Sequence, residues 1–397
     1  MPQISQRGSQ MPSSPIRKLA PLAAQAKKEG VKVYHLNIGQ PDLPTPQQAL
    51  DALKHIDRKT LEYSPSEGYP ALREKLAGYY RRVGLKDITE NDIIVTSGGS
   101  EALLFAFFSC MNPGDEMIMV EPGYANYISF AATAGVKVVS ITSKIENSFA
   151  LPPMEAFEEA ITPRTKAILL CNPNNPTGYV YSAEELEQLR KLVVKYDLYL
   201  IADEVYREFN YGHEPSVSAM SLGIPENVIL VDSVSKRYSE CGIRIGMLVT
   251  HNREIHQTVM KYCQARLSPP LLGQIAAAAS IEGTEAYSKE CFDEYKARRD
   301  FFIKGLNEIP GVFSPMPSGA FYTVASLPVE DAEDFCKWCL TDFRLNGETL
   351  MMAPAAGFYR NPELGRNQAR MAYVLKIEDL ARCLQILKAA LEAYKAR

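Results

Sequence analysis

The residues best suited to chemistry lie in one short stretch, Ser233-Val-Ser235-Lys236, with Arg244 eight positions beyond the lysine. The apolar, largely β-branched run at residues 228–231 precedes them and is typical of a buried strand in a parallel sheet. A lysine just beyond such a strand is partly desolvated, which favours the neutral, nucleophilic amine. Two hydroxyls and an arginine nearby suit a phosphate monoester. This stretch alone leaves two interpretations open: a surface lysine, or a site for an aldehyde cofactor that carries a phosphate.

Polar and aromatic residues follow other predicted strands, at the edge where open parallel sheets bind ligands. The glycine-rich turn at residues 97–101 leads into a helix whose free N–H groups favour an anion, although a plain turn explains it equally well. Asp203 ends an apolar run, where a buried carboxylate needs a cation unless it caps a helix. Asn175 lies in a doubled Asn-Pro turn, and Tyr124 places an aromatic ring at the same edge. These residues predict a ligand site at the carboxyl ends of the strands.

Short apolar runs alternate with helical patterns through the middle of the chain, which predicts a mostly parallel sheet covered by helices on both faces. We expect an α/β fold with a large cofactor-binding domain at residues 46–285 and a smaller α+β domain at residues 286–397. The N-terminal arm at residues 1–45 is expected to join the smaller domain. Predicted helices include residues 16–30, 70–83 and 182–196, the last opened by the capping box Ser182-Ala-Glu-Glu185.

Composition and charge argue against several classes of protein. The 397 residues are 46% hydrophobic and 23% charged, which is typical of a globular chain of more than one domain. The net charge of −4 gives no electrostatic basis for binding nucleic acid. No stretch approaches the roughly 20 apolar residues of a membrane span, and we expect no signal peptide. The eight scattered cysteines predict a reducing, cytoplasmic location, and Cys336-x-x-Cys339 is interpreted as helix packing, so no metal site is expected.

Motifs in a fixed order connect the chain to a known family. They are L-N-I-G-Q-P-D at residues 36–42, G-G-S-E-A at 98–102, N-P-N-N-P-T-G at 172–178, D-E-V-Y at 203–206 and S-V-S-K at 233–236. The set resembles the fold-type I pyridoxal-phosphate aminotransferases, the class I and II group around aspartate aminotransferase, from about residue 14 onward. The resemblance implies transfer of the α-amino group of an L-amino acid to a 2-oxo acid with pyridoxal 5'-phosphate. It also implies a homodimer with shared active sites.

The resemblance implies a role for each motif residue. Lys236 is expected to be the Schiff-base lysine and the base that moves the substrate's α-proton, while Asp203 pairs with the ring nitrogen of the cofactor. Tyr206 and Asn175 are expected to bond the ring oxygen, and Tyr124 to stack on the ring. The other expected cofactor-binding residues are Gly99, Ser100, Glu101, Ser233, Ser235, Arg244 and, from the partner subunit, Tyr63. The expected substrate-binding residues are Gly39, Asn175 and Arg370, whose guanidinium grips the α-carboxylate.

One departure from the family pattern bears on substrate choice. Some bacterial members of the aspartate branch carry a lysine where this chain has Ser100, to bind the distal carboxylate of the substrate. Arg266 lies near the place where other members lend an arginine across the subunit interface, and it is the candidate replacement; a surface arginine fits the sequence equally well. Aspartate or glutamate is the favoured substrate type, because the aspartate branch is the closest overall resemblance; if Arg266 points into solvent, uncharged side chains are expected instead. The resemblance also predicts a cis peptide bond between Asn175 and Pro176.

Two other functions remain compatible with the sequence. The same scaffold hosts C–S lyases, decarboxylases and cyclopropane-carboxylate synthases, so the fold by itself does not select transamination. A non-catalytic regulatory domain is the third possibility. Regulators built on this fold carry an added DNA-binding domain, whereas this chain has no basic N-terminal module and retains the lysine. An aminotransferase is the leading hypothesis, with an amino acid and a 2-oxo acid as its substrates.

Overall fold

The computed structural model describes residues 2–212, 214 and 216–397. Its β-strands, in chain order, are β1 (Lys32–His35), β2 (Ile93–Thr96), β3 (Glu116–Glu121), β4 (Lys137–Thr142), β5 (Thr165–Cys171), β6 (Tyr199–Asp203), β7 (Val228–Ser233), β8 (Gly246–Val249), β9 (Tyr322–Ser326), β10 (Glu348–Met351), β11 (Ala353–Pro354) and β12 (Gln368–Ala372). Its α-helices are α1 (Gln6–Gln10), α2 (Ala20–Lys28), α3 (Gln47–Lys54), α4 (Pro70–Arg82), α5 (Gly99–Cys110), α6 (Asn126–Ala134), α7 (Met154–Ala160), α8 (Ala183–Tyr196), α9 (Val234–Arg237), α10 (Arg253–Arg266), α11 (Leu271–Ser280), α12 (Glu285–Asn307), α13 (Ala332–Thr341) and α14 (Ile377–Lys395).

The largest sheet in the described part of the chain has the strand order β2-β8-β7-β6-β5-β3-β4. Neighbours from β7 through to β4 are parallel, whereas β8 is antiparallel to both β2 and β7. Every residue of β2, β3, β7 and β8 is buried, as expected for a sheet covered on both faces. The predicted α/β fold with a mostly parallel sheet is confirmed. The sequence prediction had not identified β8, a short strand that begins at a glycine.

The strand order brings several polar turns to one edge of this sheet. Because β5, β6 and β7 are parallel neighbours, their carboxyl ends at Cys171, Asp203 and Ser233 lie side by side. Gly246 of β8 pairs with Thr96 at the end of β2 and with Ser233 at the end of β7. The glycine-rich turn after β2 therefore lies beside the turn that carries Lys236.

Local sequence signals explain where several helices begin. At the start of α8, the Ser182 hydroxyl accepts from the N–H of Glu185 at 3.1 Å, and the Glu185 carboxylate accepts from the N–H of Ser182 at 2.7 Å, as the capping box predicts. The prediction was wrong for α2, which begins at Ala20 rather than at residue 16. Residues 15–19 form turns instead, in which the N–H groups of Arg17 and Lys18 both bond to the carbonyl of Ser14.

Two smaller sheets involve the ends of the chain. Strand β1 pairs in parallel with β10, and β12 is antiparallel to both β11 and β9. The long helices α12 and α14 pack together, with Phe302, Leu306 and Ile386 fully buried. The pairing of β1 with β10 ties the N-terminal segment to the C-terminal third of the molecule.

Three features of the described residues concern membranes, metals and the cysteine pair. Within residues 2–212, 214 and 216–397, no helix is both long and apolar enough to cross a membrane. The same part of the chain contains no group of three or more His, Cys, Asp or Glu side chains placed to hold a metal ion. Cys336 and Cys339 are buried in α13, and burial raises the pKa of both thiols. Their environment agrees with helix packing.

Candidate active site

A cavity of about 670 Å³ lies at the carboxyl edge of the large sheet. Residues from β12 and β9 line it from the C-terminal part of the chain, opposite the strand ends. The sequence-predicted residues that line it are Gly39, Gly99, Ser100, Tyr124, Asn175, Asp203, Tyr206, Ser233, Ser235, Lys236, Arg244 and Arg370. The fold thus brings residues from distant motifs into one site.

Lys236 lies in the short helix α9, directly after β7. Its Nζ donates a hydrogen bond to the carbonyl of Gly39 at 2.8 Å and lies 3.7 Å from the Sγ of Cys241. The hydroxyl of Ser233 accepts from the N–H of Ser235 at 3.1 Å, and the two serine hydroxyls are 2.8 Å apart. The strand end and this cap fix the backbone of the lysine, while its amine reaches the cavity.

Asp203 is the last residue of β6, and its carboxylate is buried. Its Oδ2 accepts a hydrogen bond from the Tyr127 hydroxyl at 2.7 Å, and its Oδ1 accepts one from the N–H of Val205 at 3.3 Å. Burial raises the pKa of Asp203 to about 6, although both hydrogen bonds act in the opposite direction. Among the described residues the carboxylate has no cation partner. A protonated ring nitrogen would satisfy a group that is costly to bury alone.

Arg370 is a buried cation on the opposite wall of the cavity. Its guanidinium lies over the rings of Tyr322 and Phe358, at 4.6 and 5.1 Å from their centroids. Nη1 donates to Oδ1 of Asn175 at 3.2 Å, and Nη2 donates to the carbonyl of Asn37. Nε has no hydrogen-bond partner within the described chain, and burial lowers the pKa of Arg370. An incoming carboxylate would supply the anion that this guanidinium lacks.

Tyr206 and Asn175 are neighbours, and Asn175 also contacts Arg370. The amide Nδ2 of Asn175 donates to the Tyr206 hydroxyl at 3.4 Å, and that hydroxyl lies 3.0 Å from the hydroxyl of Tyr322. The Asn175–Pro176 peptide bond is cis, so this prediction is confirmed. The two side chains line the same cavity as Lys236 and can together bond one ligand oxygen.

The glycine-rich turn and Arg244 form the end of the cavity best suited to an anion. Gly99 begins α5, whose first N–H groups lack intrahelical partners. Nη2 of Arg244 donates to the carbonyl of Ser97 at 3.4 Å, so the guanidinium lies against the turn. Strand β8 supports the turn so closely that a Cβ on Gly246 would lie 2.4 Å from the carbonyl carbon of Gly98. Helix N–H groups, serine hydroxyls and a guanidinium at one place fit a phosphate.

Three sequence candidates, Tyr63, Glu101 and Arg266, lie outside the residues that line the cavity. The carboxylate of Glu101 accepts from the N–H of Ser97 at 2.8 Å and from Nη1 of Arg266 at 3.0 Å. The side chain of Glu101 thus closes the first turn of α5 and neutralises an arginine, while its expected contact with the cofactor stays a prediction. Arg266 also donates to the carbonyl of Ser66 at 3.0 Å, so within its own chain it is a paired, structural arginine. Tyr63 is 75% exposed.

Sequence reasoning missed several residues that line the cavity, among them Arg17, Tyr127 and Tyr322. Tyr127 and Tyr322 lie in a helix and a strand whose patterns indicate core packing, and no local signal marks their hydroxyls. Arg17 lies in a segment predicted as helix, where an arginine ordinarily indicates a solvent-facing surface. These positions become evident only when segments distant in the sequence pack together.

The cavity combines an amine, a buried carboxylate without a cation, an anion cradle and a buried arginine without an anion, as far as the described residues extend. These groups fit pyridoxal phosphate, because its aldehyde, ring nitrogen and phosphate need an amine, a carboxylate and an anion site. The arginine remains for a substrate carboxylate. When bound, the cofactor supplies an electron sink for bond cleavage at the substrate Cα.

Proteins similar to this chain are aminotransferases. The sequence pattern of the family described as Aminotransferase class I and II matches residues 31–360. The aspartate/prephenate aminotransferase of Thermus thermophilus is 33% identical over 326 residues, which are 81% of this chain and 83% of that protein. The aspartate aminotransferase of Pyrococcus horikoshii is 30% identical over 99% of this chain and 98% of that protein. The structure of an alanine aminotransferase from Pyrococcus furiosus matches with a TM-score of 0.91 at 30% identity, covering 98% of this chain and 100% of that one. The chain therefore belongs to the class I and II aminotransferases of fold type I, and it is a transaminase.

Proposed function

We propose that this transaminase holds pyridoxal 5'-phosphate on Lys236 and moves the α-amino group of an L-amino acid to a 2-oxo acid. The observation that supports this most directly is the joint presence of Lys236, Asp203 and Arg370 on one cavity. Among the described residues, the carboxylate has no cation and the guanidinium has no anion. A cofactor ring nitrogen and a substrate carboxylate would complete both.

In the proposed site, each residue has a distinct task. The Lys236 amine would hold the cofactor through its aldehyde and, once released from it, would move the proton at the substrate Cα. Asp203 keeps the ring nitrogen protonated, while Tyr206 and Asn175 bond the ring oxygen and Tyr124 stacks on the ring. The proposed phosphate ligands are Gly99, Ser100, Ser233, Ser235 and Arg244. The proposed ligands of the substrate α-carboxylate are Arg370, Asn175 and the backbone of Gly39.

Aspartate or glutamate is the proposed type of amino donor. The relatives from Thermus thermophilus and Pyrococcus horikoshii are named as aspartate/prephenate and aspartate aminotransferases, and one solved Thermus thermophilus aspartate aminotransferase is described with maleate, a dicarboxylate. The Pyrococcus furiosus structure is named as an alanine aminotransferase, so a neutral side chain is the competing possibility. The group that meets the substrate side chain decides between them.

We also infer a homodimer with shared active sites. Leu61, Tyr63, Leu267 and Leu272 are exposed in the single chain, at 65, 75, 51 and 45%. Their segments are adjacent, since Nε2 of Gln274 bonds the Ser64 hydroxyl at 2.9 Å. An exposed apolar surface of this kind is typical of a protein interface. In the proposed dimer, Tyr63 reaches the phosphate of the cofactor held by the partner.

The proposed domain division follows the sequence expectation. It assigns residues 46–285 to the large cofactor-binding domain, and residues 1–45 with residues 286–397 to the smaller one. The parallel pairing of β1 with β10 supports the inclusion of the arm. A cytoplasmic location is part of the same proposal, supported by cysteines that are free throughout the described chain.

Replacing the lysine tests the proposed function. Lys236→Ala should lower the rate of amino transfer by at least about 10³-fold, because it removes both the covalent anchor and the base. It should also abolish the visible absorbance of the lysine–cofactor linkage, while far-UV circular dichroism stays unchanged. Lys261→Ala, an exposed lysine on α10, is the matched control and should retain both signals.

The same assay separates transamination from the chemistry of other enzymes on this scaffold. With amino acid alone, a transaminase stops after one amino group per site, whereas a lyase or decarboxylase turns over repeatedly without an acceptor. Product formation beyond one equivalent, with no 2-oxo acid present, would favour the alternatives. Wild-type rates in Lys236→Ala would end the proposal.

A further inference from the structure

Among the described residues, the cations that line the cavity are Lys236, Arg244, Arg370 and Arg17. The proposed function, on which this inference rests, uses the first for the cofactor aldehyde, the second for the phosphate and the third for the substrate α-carboxylate. Arg17 has no task in that scheme. Its side chain is exposed at the cavity and has no hydrogen-bond acceptor and no carboxylate partner within the described part of the chain, so its charge is accessible to a ligand.

The chain segment that carries Arg17 is fixed on both sides of it. Before it, Pro15 packs closely on Gly357. A Cβ added to Gly357 would lie only 2.4 Å from the Cβ of Pro15. Ile16 packs against the apolar cluster that includes Phe358. After it, Lys18 forms an ion pair with Glu333 of α13. The backbone is therefore anchored at both ends while the Arg17 side chain lines the cavity.

One residue connects this segment to the proposed α-carboxylate site. Nδ2 of Asn37 donates to the carbonyl of Ile16 at 3.0 Å, and the carbonyl of Asn37 accepts from Nη2 of Arg370. Asn37 is 1% exposed, so this bridge is shielded from water. Asn37 thus joins the backbone just before Arg17 to the guanidinium of Arg370, and both arginines line the cavity. Tyr124 lies near both arginines. Burial raises the pKa of the Tyr124 phenol to about 12, and the positive charges of Arg370 and Arg17 both act to lower it.

The cation that the sequence suggests for the substrate side chain is Arg266, since Ser100 stands where some family members carry a lysine; within its own chain Arg266 is already paired. Ser100 is neutral, and Arg266 is neutralised by Glu101 at 3.0 Å. We propose that Arg17 is the specificity-determining residue, which receives the side-chain carboxylate of a dicarboxylic amino acid while Arg370 receives the α-carboxylate. Two guanidinium groups on one wall suit a ligand with two carboxylates, because each can form paired N–H···O bonds.

Arg17→Met tests the proposal, since it removes the charge and keeps much of the side-chain volume. The kcat/KM for L-glutamate and L-aspartate should fall about ten- to hundredfold, as expected for loss of a charge-assisted hydrogen bond, and that for L-alanine should change far less. Arg17→Lys should restore part of the loss. Lys28→Met removes one exposed positive charge from the adjacent helix α2 and should leave the ratio of glutamate to alanine unchanged.

A binding measurement gives a readout that does not depend on turnover. Calorimetry on the cofactor-loaded enzyme should find glutarate, a dicarboxylate without an amine, bound at least about tenfold tighter by wild type than by Arg17→Met. Butyrate, which has one carboxylate, should bind both alike.

The outcomes separate the two proposals. If the wild type transaminates and Arg17→Met leaves the glutamate-to-alanine ratio unchanged, or lowers both rates equally, the assignment of Arg17 is overturned and the proposed function stands. A wild-type preference for neutral side chains also overturns it. If no amino acid is transaminated, the proposed function fails, and glutarate binding decides on Arg17: dependence on the arginine upholds the assignment, and independence rejects it.

Discussion

At the scale of single residues, Asp203 illustrates both what the sequence predicts and what it does not. A carboxylate at the end of an apolar strand predicts a need for a cation, since an unpaired buried charge is costly. The structure adds the Tyr127 hydroxyl at 2.7 Å, which no sequence pattern marks, and a pKa of about 6. The same holds for Glu101 and Arg266: their residue types suggest ligand contacts, yet they pair with each other at 3.0 Å. A charged residue type indicates a need for a partner without indicating which partner satisfies it.

The pKa of Asp203 leads to a prediction for cofactor binding. Asp203→Asn should weaken pyridoxal phosphate binding about ten- to hundredfold at pH 8, because an amide cannot pair with a protonated ring nitrogen. In the cofactor-free protein the wild-type carboxylate takes up a proton as the pH falls through 6, so cofactor binding must then displace that proton. The ratio of the two affinities should therefore narrow by about tenfold between pH 8 and pH 5. Cofactor titrations from pH 5 to 8, followed by protein fluorescence, measure the ratio.

The cofactor-free protein provides the control, because there Asp203→Asn should be favourable: it should raise the free energy of unfolding at high pH. Because burial raises the pKa from its ordinary 3.8 to about 6, ionisation costs stability above pH 6, and this cost disappears as the pH falls from 6 towards 4. Asp203→Asn should therefore stabilise the cofactor-free chain at pH 8 by at most about 3 kcal/mol, since one pKa unit corresponds to ~1.36 kcal/mol. A destabilised variant at pH 8 would contradict the view that this carboxylate lacks a cation.

At the scale of elements, the start of α8 could be predicted because a local capping signal fixes it. The start of α2 could not, because contacts with distant segments determine where that helix begins. The capping box fixes the start of α8, and α4 ends within one residue of its prediction. By contrast, α2 starts late because the segment before it packs on Gly357 and Asn37, which lie far away in sequence. Strand β8 has no periodic signal of its own, and its position follows from pairing with β2 and β7.

The contact between β8 and the glycine-rich turn can be tested by adding a methyl group at Gly246. Gly246→Ala should destabilise the protein by about 1–3 kcal/mol, because its Cβ would lie 2.4 Å from backbone atoms of Gly98 and Gly99. It should also weaken cofactor binding more than tenfold, since the displaced turn begins α5 at the phosphate end of the cavity. Thermal unfolding and cofactor titration measure the two effects.

Gly78→Ala in α4 is the matched control for this substitution. There a Cβ would meet only the ends of Arg82 and Arg81, at 3.7 and 3.9 Å. Because alanine favours a helix by up to about 1 kcal/mol over glycine, the control should be neutral or stabilised. Equal behaviour of the two variants would refute a supporting role for β8.

At the scale of the whole molecule, the order of strands, helices and motifs could be predicted, but the contacts between distant segments could not. The alternation of patterns identifies a parallel sheet, and the polar turns then fall at its carboxyl edge. The bridge from Ile16 through Asn37 to Arg370 joins three separate segments, and no local pattern encodes it. For that reason the sequence suggested Arg266 for the substrate side chain, whereas the folded chain presents Arg17 to the cavity.

The proposed dimer can be tested at this scale. The wild type should have twice the chain mass of 44.2 kDa by light scattering. Leu272→Asp should shift the protein towards the monomer, because it places a charge on a 45% exposed leucine in the expected interface. Val194→Asp, at a similarly exposed apolar position on α8, should remain dimeric. A monomeric wild type, or equal dissociation of both variants, would rule out this surface.

The charges that line the cavity also affect how fast ligands arrive. Three arginines, one lysine and one carboxylate line it among the described residues, although the whole chain has a net charge of −4. A concave, positively charged site within a negative molecule concentrates field lines at its opening, which draws anions inward and accelerates their diffusional encounter. Screening limits this attraction, because the Debye length is only about 8 Å at physiological ionic strength. The same arginines that sort substrates once they are bound would therefore favour the capture of anionic molecules over neutral ones before any contact is made.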